Sequence, residues 1–186
     1  MRNKFNITSF IWVCLLISSC IEIEPVSTIP EISFLDFSAY IVYNEQLGSY
    51  IPVGLIEFDF IDGDADIGVY PEFTFDTSGV IPDSMKYNLI LIPQDKIDSS
   101  TYLPTNQVGD TISYSILYNE KLDRVGQNKI IKGIIRAEIK FGSIPDYALD
   151  TFRYQFFIYD RALQRSNVEY TKDICLKNLM QQQPEN

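Results

Sequence analysis

The stretch Ile56-Glu57-Phe58-Asp59-Phe60-Ile61-Asp62-Gly63-Asp64-Ala65-Asp66 combines two patterns that decide how this chain folds. Apolar and acidic side chains alternate as far as Phe60, which is typical of a β-strand with one buried face. The alternation stops at Asp62-Gly63, a strong turn signal in which the glycine permits a positive φ angle. The sequence therefore predicts a strand that leads into a turn with three aspartates at alternate positions.

The same period of two recurs along the rest of the chain. Further strands are predicted at residues 32–42, with an irregularity at Asp36, and at residues 87–92, 112–118, 131–141, 152–159 and 168–174. The sequence does not decide whether residues 69–75 form a short strand. Residues 94–110 are predicted to form a long polar loop. No long helical period appears. About seven antiparallel strands predict an all-β fold, a single immunoglobulin-like β-sandwich, with a small β-barrel as the alternative.

The two ends of the chain are predicted to lie outside this domain. Arg2 and Lys4 precede an apolar run that is too short to span a bilayer, so residues 1–19 are predicted to be a lipoprotein signal peptide. The run Leu16-Ile17-Ser18-Ser19-Cys20 resembles a bacterial lipobox, which implies cleavage before Cys20 and its acylation, for example with palmitate. Several acyl chains would anchor the protein stably. Residues 20–30 then form a lipidated tether, residues 31–176 the sandwich and residues 177–186 a frayed tail.

Composition limits the chemistry of the mature chain. Without Arg2 and Lys4, 13 of the 15 basic residues remain against 25 acidic residues, a net charge of −12. Such a surface repels nucleic acid and suits divalent cations or basic partners. The chain has no histidine, and Cys175 is the one cysteine left beside Cys20, which excludes an internal disulfide and a cysteine zinc site. Cys175 is predicted to be a small buried hydrophobe.

Two segments resemble those of a known group of proteins. The segment from Phe58 to Gly68 looks like the "F-x-DGDGDIG" segment of small Bacteroidetes-type lipoproteins, and the segment from Phe156 to Thr171 looks like their "I-x-DRAGNxSNxVxT". The sequence departs from the pattern at Ala65, where glycine is common, and at residues 163–165. The resemblance implies a mostly β domain that is lipid-anchored at the outer membrane, on the periplasmic face or the cell surface. Because the family is uncharacterised, it implies no activity.

The three aspartates of the turn have the spacing of a calcium loop. Asp62, Asp64 and Asp66 would let alternate carboxylates converge on one hard cation. The loop is not an EF-hand, because the glycine comes one place late at Gly68 and Phe73 stands where the twelfth-position glutamate would be. Calcium at one end of a sandwich is therefore the candidate cofactor.

The second segment offers a partner for this turn. Asp160 would be a fourth carboxylate on the metal, or Arg161 would form a salt bridge with an acidic turn that binds no ion. If residues 69–75 do not form a full strand, the ends of the strands at 56–61 and 152–159 lie at the same end of the sandwich and the two segments meet. If they do, the segments lie at opposite ends.

Three functions are compatible with these features. The first is a non-enzymatic cell-envelope protein, held at the membrane through the lipid on Cys20, with a structural role or an envelope protein or glycan as partner. The second is a calcium-dependent adhesion or ligand-binding module. The third is a glycan hydrolase with Glu57 and Asp59 as its carboxylates, against which the lack of histidine and of a nucleophile setting weighs. We expect the first. A binding surface for sugar or peptide would involve Tyr40, Tyr43 and Tyr50.

Overall fold

The computed structural model describes residues 26–74, 78–104, 111–119, 129–140 and 151–175. These residues form nine β-strands and two single helical turns. The strands are β1 (Glu31–Asn44), β2 (Ser49–Asp62), β3 (Leu89–Lys96), β4 (Tyr102–Pro104), β5 (Ile112–Tyr114), β6 (Ile131–Lys140), β7 (Thr151–Ile158), β8 (Glu169–Tyr170) and β9 (Ile174–Cys175), and the helical turns are α1 (Pro71–Thr74) and α2 (Asp83–Lys86). The predicted signal peptide, the first residues of the tether and the tail lie outside the described residues. Within the described part, no helix has the length and apolar character needed to cross a membrane.

The strands form two antiparallel sheets. One sheet has the order β1-β2-β6, and the other has the order β4-β3-β7-β8, with β5 also paired to β3 and β9 to β7. The sheets pack face to face and do not close into a barrel. The prediction of an all-β, immunoglobulin-like sandwich is confirmed, and the barrel alternative is wrong. The described part has nine strands rather than about seven, and four of the nine are only two or three residues long.

The core lies between the sheets, where the alternation of β2 and β7 places their apolar side chains. Phe58 and Ile56 of β2 and Phe156 and Ile158 of β7 are fully buried. The rings of Phe58 and Phe156 meet across the two sheets with centroids 5.2 Å apart. Burial of one such side chain contributes about 1.5–3 kcal/mol, so this layer holds the sandwich together independently of its loops.

One predicted detail of the strands is confirmed and another is partly wrong. The irregularity at Asp36 is confirmed as a shift of register between Phe34 and Asp36 in the β1–β2 pair. The prediction of a long polar loop at residues 94–110 is wrong in its first part, since β3 continues to Lys96 and pairs with β4. A tight turn joins them, closed by the Ile97 amide on the Thr101 carbonyl at 2.9 Å. Residues 105–110 lie outside the described residues.

The chain after β2 does not cross the sandwich. Val69 forms a single bridge with Leu117, and Pro71–Thr74 is a helical turn rather than the possible strand at residues 69–75. Proline favours the first position of a helix, which fits its place at the start of α1. As a consequence, β2 and β7 end at the same end of the sandwich. Cys175, predicted to be buried, is only half-buried in the edge strand β9.

Candidate metal centre

The two segments singled out in the sequence meet at one end of the sandwich. The Arg161 amide donates to the Asp66 carbonyl at 3.1 Å, and the Ala162 amide donates to Asp66 Oδ2 at 3.2 Å. This is the arrangement expected when residues 69–75 do not form a strand. The turn after β2 and the turn after β7 are therefore one structural unit, which we call the aspartate site, consisting of residues 62–66 and 160–164.

The backbone of the first turn is set by positions other than the one predicted. Gly63 does not have a positive φ angle, whereas Ala65 and Gly68 have φ angles of 58° and 109°. Gly68 also lies so close to Tyr118 that a Cβ atom would come within 2.8 Å of the Tyr118 Cα. The amide of Val69 donates to the Ile116 carbonyl at 2.8 Å and fixes the end of the turn. These contacts bend residues 62–68 back over the end of the sandwich.

Three of the aspartates have one carboxylate oxygen fixed by a backbone amide. Asp62 Oδ2 accepts from the Asp66 amide at 2.8 Å, and Asp66 Oδ2 accepts from the Ala162 amide at 3.2 Å. Asp160 Oδ1 accepts from the Gln164 amide at 2.7 Å. Metal-ligating carboxylates are commonly oriented by such hydrogen bonds, because a bound second oxygen fixes the direction of the first.

The other oxygens have no partner of this kind. Four buried carboxylate oxygens lack a hydrogen bond within the described residues: Asp62 Oδ1, Asp64 Oδ1, Asp66 Oδ1 and Asp160 Oδ2. Asp62 is 0% exposed and Asp160 is 3% exposed. Ligand oxygens of Asp62, Asp64 and Asp66 lie within 4.8 Å of one another. Calcium binds oxygen at 2.3–2.6 Å, so two ligands across one ion are about 5 Å apart, and the cluster has the right size.

The electrostatics of the site are unfavourable for carboxylates alone. Burial raises the pKa of Asp62 from its ordinary 3.8 to about 6, and the charges of Asp64 and Asp66 add to the shift. Burial likewise raises the pKa of Asp160 to about 6, again with contributions from Asp66 and Asp64. The pKa of Asp66 is raised by burial and by Asp64, against the opposing charge of Arg161. A cation among the four carboxylates would remove both the desolvation cost and the mutual repulsion.

The donor set indicates which cation fits. All four side chains offer carboxylate oxygen, the ligand of hard cations, and the sequence has no histidine to offer nitrogen. Magnesium dehydrates reluctantly and usually keeps several waters, which a cluster of buried oxygens leaves little room for. Calcium takes six to eight oxygens in flexible geometry, so four carboxylates with second oxygens, carbonyls or water would complete its shell.

Arg161 does not form the predicted salt bridge. Within the described residues, no ion pair joins it to an aspartate of the site. Its guanidinium lies near the rings of Tyr70 and Tyr118, 5.3 Å and 5.2 Å from their centroids. Its amino groups make long contacts to the carbonyls of Ile67 at 3.4 Å and Ala65 at 3.5 Å. Arg161 therefore supports the backbone of the first turn and leaves the inner carboxylate oxygens without a protein cation.

Sequence reasoning missed the role of Ser166 and Asn167. Ser166 Oγ accepts from the Ile158 amide at 3.0 Å and so fixes the end of β7. Asn167 accepts from the Ile32 amide and donates to the Ile32 carbonyl, both at 2.8 Å, and so holds the start of β1. The serine-asparagine pair in the second segment was visible in the sequence, but nothing in it indicates which distant backbone the side chains bind.

A small cavity of about 120 Å³ lies beside the aspartate site. Arg161 and Asp160 form its polar side. Its apolar lining includes Tyr70, Phe73, Met85 and Leu163. The cavity has an apolar body with a few polar groups at one side, but its volume is below the roughly 300–1,000 Å³ of typical ligand pockets, so it has room only for a small group of a ligand.

The other candidate residues have contacts of their own. Glu57 is ion-paired with Arg136 at 2.9 Å. Tyr43 and Tyr50 stack edge to face at the far end of the β1–β2 hairpin and are exposed. Tyr40, on the same hairpin, donates its hydroxyl to Glu138 at 2.8 Å.

In comparisons with known proteins, no family model, no curated protein and no solved structure matches this chain. An immunoglobulin-like sandwich supports many unrelated functions, so the fold alone assigns none. The features that bear on function are therefore the aspartate site and the sequence before it.

Proposed function

We propose that this protein is a lipid-anchored, non-enzymatic protein of the bacterial cell envelope whose sandwich binds one calcium ion through Asp62, Asp64, Asp66 and Asp160. One observation carries the proposal. Three carboxylates of the first turn have oxygens within 4.8 Å of one another, and Asp160 of the second turn adds a fourth buried oxygen. All four oxygens lack a hydrogen-bond partner in the described part of the chain, while the second oxygens of Asp62, Asp66 and Asp160 are fixed by backbone amides. Buried charges in proteins are normally paired or bound to metal.

Because of the position of the site, a bound ion would have a structural role. Asp62 ends β2, whereas Asp160 follows β7, so the ligands come from both sheets. An ion shared between them would tie the end of one sheet to the end of the other. Because the ligand oxygens are buried, the ion would order the turns rather than present itself to solvent.

The anchor is proposed from the sequence. The basic start, the apolar run and the lipobox-like ending support lipidation at Cys20, and the two resembled segments support an outer-membrane location, on the periplasmic face or the cell surface. Calcium sites of extracellular modules have dissociation constants of about 10⁻⁴–10⁻³ M, the range in which calcium outside the cytoplasm is useful. Within the envelope, the domain would act as a structural or partner-binding module.

A second candidate function is calcium-dependent binding of a ligand such as a glycan or peptide from the envelope. The cavity beside Asp160 and Arg161 favours it, because one of its walls belongs to the proposed ion site. Calcium would then order that wall before a ligand enters. This function would need Tyr70 and Phe73 to contact the ligand, which substitution of either by alanine tests.

Calorimetric titration of the mature lipidated chain in detergent micelles tests the calcium site. We expect one calcium ion per chain, no calcium binding in Asp64→Asn and unchanged binding in Asp59→Asn. Asp59 is the matched control, since it is an exposed aspartate of the neighbouring strand β2. Equal calcium binding by Asp64→Asn and the parent, or no binding by the parent, would exclude the site.

A further inference from the structure

The chain segment that precedes β1 lies directly on the aspartate turn. The Gly63 amide donates to the Ser27 carbonyl at 2.9 Å. A Cβ atom at position 63 would come within 2.5 Å of the carbonyl oxygens of both Ser27 and Val26, a distance that side chains do not adopt. Glycine is therefore required here for close approach of another backbone, and this contact lies between the proposed ligands Asp62 and Asp64.

The second turn holds the same segment a few residues later. Pro30 is fully buried, and both backbone groups of Ile32 are bound by the side chain of Asn167. Gly63 belongs to the turn after β2, whereas Asn167 follows the turn after β7. We call residues 26–32 the anchor segment. It contacts the first turn at Gly63 and is held by Asn167 just after the second turn, so whatever orders the two turns also orders the surface on which the anchor segment rests.

The anchor segment is close in sequence to the proposed lipid. Val26 comes six positions after Cys20, and an extended chain of that length spans at most about 20 Å. The strands of the β1–β2 hairpin have 14 residues each, about 45 Å, so the turn between them lies at the far end of the domain. With a lipid on Cys20, the end that bears the aspartate site is held near the membrane.

We propose that the calcium site and the membrane anchor work as one unit, in which the ion fixes the turns that seat the anchor segment and so holds this end of the domain against the membrane. This inference rests on the proposed function for both the ion and the lipid. Without the ion, repulsion among the four carboxylates loosens the two turns. The contacts of Gly63 and Asn167 with the anchor segment then loosen with them.

Hydrogen exchange of the mature lipidated protein in phospholipid nanodiscs tests this coupling. The amides of Ile29 and Ile32 report on the anchor segment, since they are bound by Ser27 Oγ at 3.0 Å and by Asn167. We expect their exchange to slow at least tenfold in calcium relative to a chelator, with little effect of magnesium. The amides of Gln46 and Leu47, bound by Asn44 at the far turn, are the internal control and should not change.

A substitution at Asn167, outside the aspartate site, separates ion binding from anchoring. Asn167→Ala keeps all four aspartates but removes the side-chain bonds to Ile32. In this variant, calcium should still slow exchange at the Asp66 amide of the first turn, while Ile29 exchanges at the same rate with and without calcium. Asn44→Ala is the matched control, because it removes bonds to the amides of the far turn only. If Asn167→Ala does not fold, Asn167→Asp, which loses the bond donated to the Ile32 carbonyl, replaces it.

The possible outcomes distinguish the two proposals. Calcium protection of the Asp66 amide without protection of the anchor segment would overturn the coupling and leave the calcium site intact. Calcium protection of Ile29 that persists in Asn167→Ala would overturn it as well. If calcium protects no amide in the parent, the proposed function itself fails. Calcium protection of Ile29 that disappears in Asn167→Ala but not in Asn44→Ala is the supporting result.

Discussion

Replacement of Asp62 by asparagine should change the stability of this domain in opposite directions with and without calcium. Asparagine has the shape of aspartate and keeps an oxygen that accepts from the Asp66 amide, but it removes a charge that is 0% exposed. With calcium, the variant lacks a ligand and should be less stable than the parent. Without calcium, it lacks a buried carboxylate next to Asp64 and Asp66 and should be more stable.

Both magnitudes follow from the site. Calcium at 100 times its dissociation constant adds about 2.7 kcal/mol to the free energy of unfolding, or roughly 5–11 °C in the melting temperature at this chain length. Asp62→Asn should lose most of this gain. Without calcium, the pKa of Asp62 is raised to about 6 from 3.8, so its charged form opposes folding at pH 7.5. At about 1.4 kcal/mol for each pKa unit, its removal should stabilise the calcium-free protein by roughly 1–3 kcal/mol.

Thermal unfolding of the mature chain measures both effects, in calcium and in chelator. Calorimetry or tyrosine absorbance is the appropriate probe, because the single tryptophan, Trp12, lies in the predicted signal peptide. Asp59→Asn is the control, since it is exposed on the same strand and should change stability by less than about 0.5 kcal/mol under both conditions. A variant less stable than the parent under both conditions would make Asp62 a structural hydrogen-bond acceptor, and an undiminished response to calcium would remove it from the ligands.

Other predictions concern pH and the backbone of the turns. The pKa values of Asp62 and Asp160 are raised in the folded protein, which therefore takes up protons at a higher pH than the unfolded chain does. The stability of the calcium-free protein should therefore rise as the pH falls from 7.5 to 5, whereas the calcium-loaded form should lose stability because protons compete with the ion. Urea unfolding at each pH measures both effects. Leu163→Gly should stabilise the protein by up to about 1 kcal/mol, because Leu163 has a φ angle of 61° and an exposed side chain. A decrease in the free energy of unfolding, measured by chemical denaturation, would contradict this and show that the side chain contributes stabilising packing contacts. Gly68→Ala should destabilise by about 2 kcal/mol or more through its φ angle of 109° and contact with Tyr118, and an unchanged melting temperature would contradict this.

The long strands could be predicted from the sequence because their alternation decides which face is buried. β1, β6 and β7 each show it over eight residues or more, and the irregularity at Asp36 was visible as a break in the period. For β2 the alternation predicted only residues 56–61, and the first half of Ser49–Asp62 was missed. β4 could not be predicted in this way, since Tyr102–Pro104 has three residues and no period to read. Its pairing depends on β3, which supplies the partner edge.

Pro93 shows why the extent of β3 was misjudged. Proline normally ends a strand because it lacks an amide donor. Here the amide and carbonyl of Tyr154, opposite Pro93, both bond to Thr171 on the other side, so the nitrogen of Pro93 faces away from β7. On that outer edge of β3, the pairing with β5 extends only to Leu91, and the pairing with β4 starts at Gln94. Pro93, which lacks an amide donor, therefore lies between these two paired segments of β3. The position of this gap is set by tertiary pairing, which a local sequence pattern does not show.

The candidate site was predictable in its acidic residues but not in its basic one. Spacing alone identified Asp62, Asp64 and Asp66, because alternate carboxylates on one turn must lie close together. The same reasoning could not decide whether Arg161 would meet a carboxylate or a carbonyl. That choice depends on Tyr70 and Tyr118, which flank the guanidinium from distant parts of the chain. The free carboxylate oxygens are a consequence of this choice.

Two unfavourable features coincide in the aspartate site and nowhere else in the described part of the chain. Ala65 and Leu163, both in this site, are the two residues other than glycine with a positive φ angle in the described part of the chain. The four buried carboxylates lie in the same two turns. Strain of this kind persists where the surroundings enforce it, and a shared ion would do so from the centre of the site. The core around Phe58 and Phe156 does not depend on an ion for its stability. Loss of calcium should therefore open the end of the sandwich near the anchor segment while the rest of the domain stays folded.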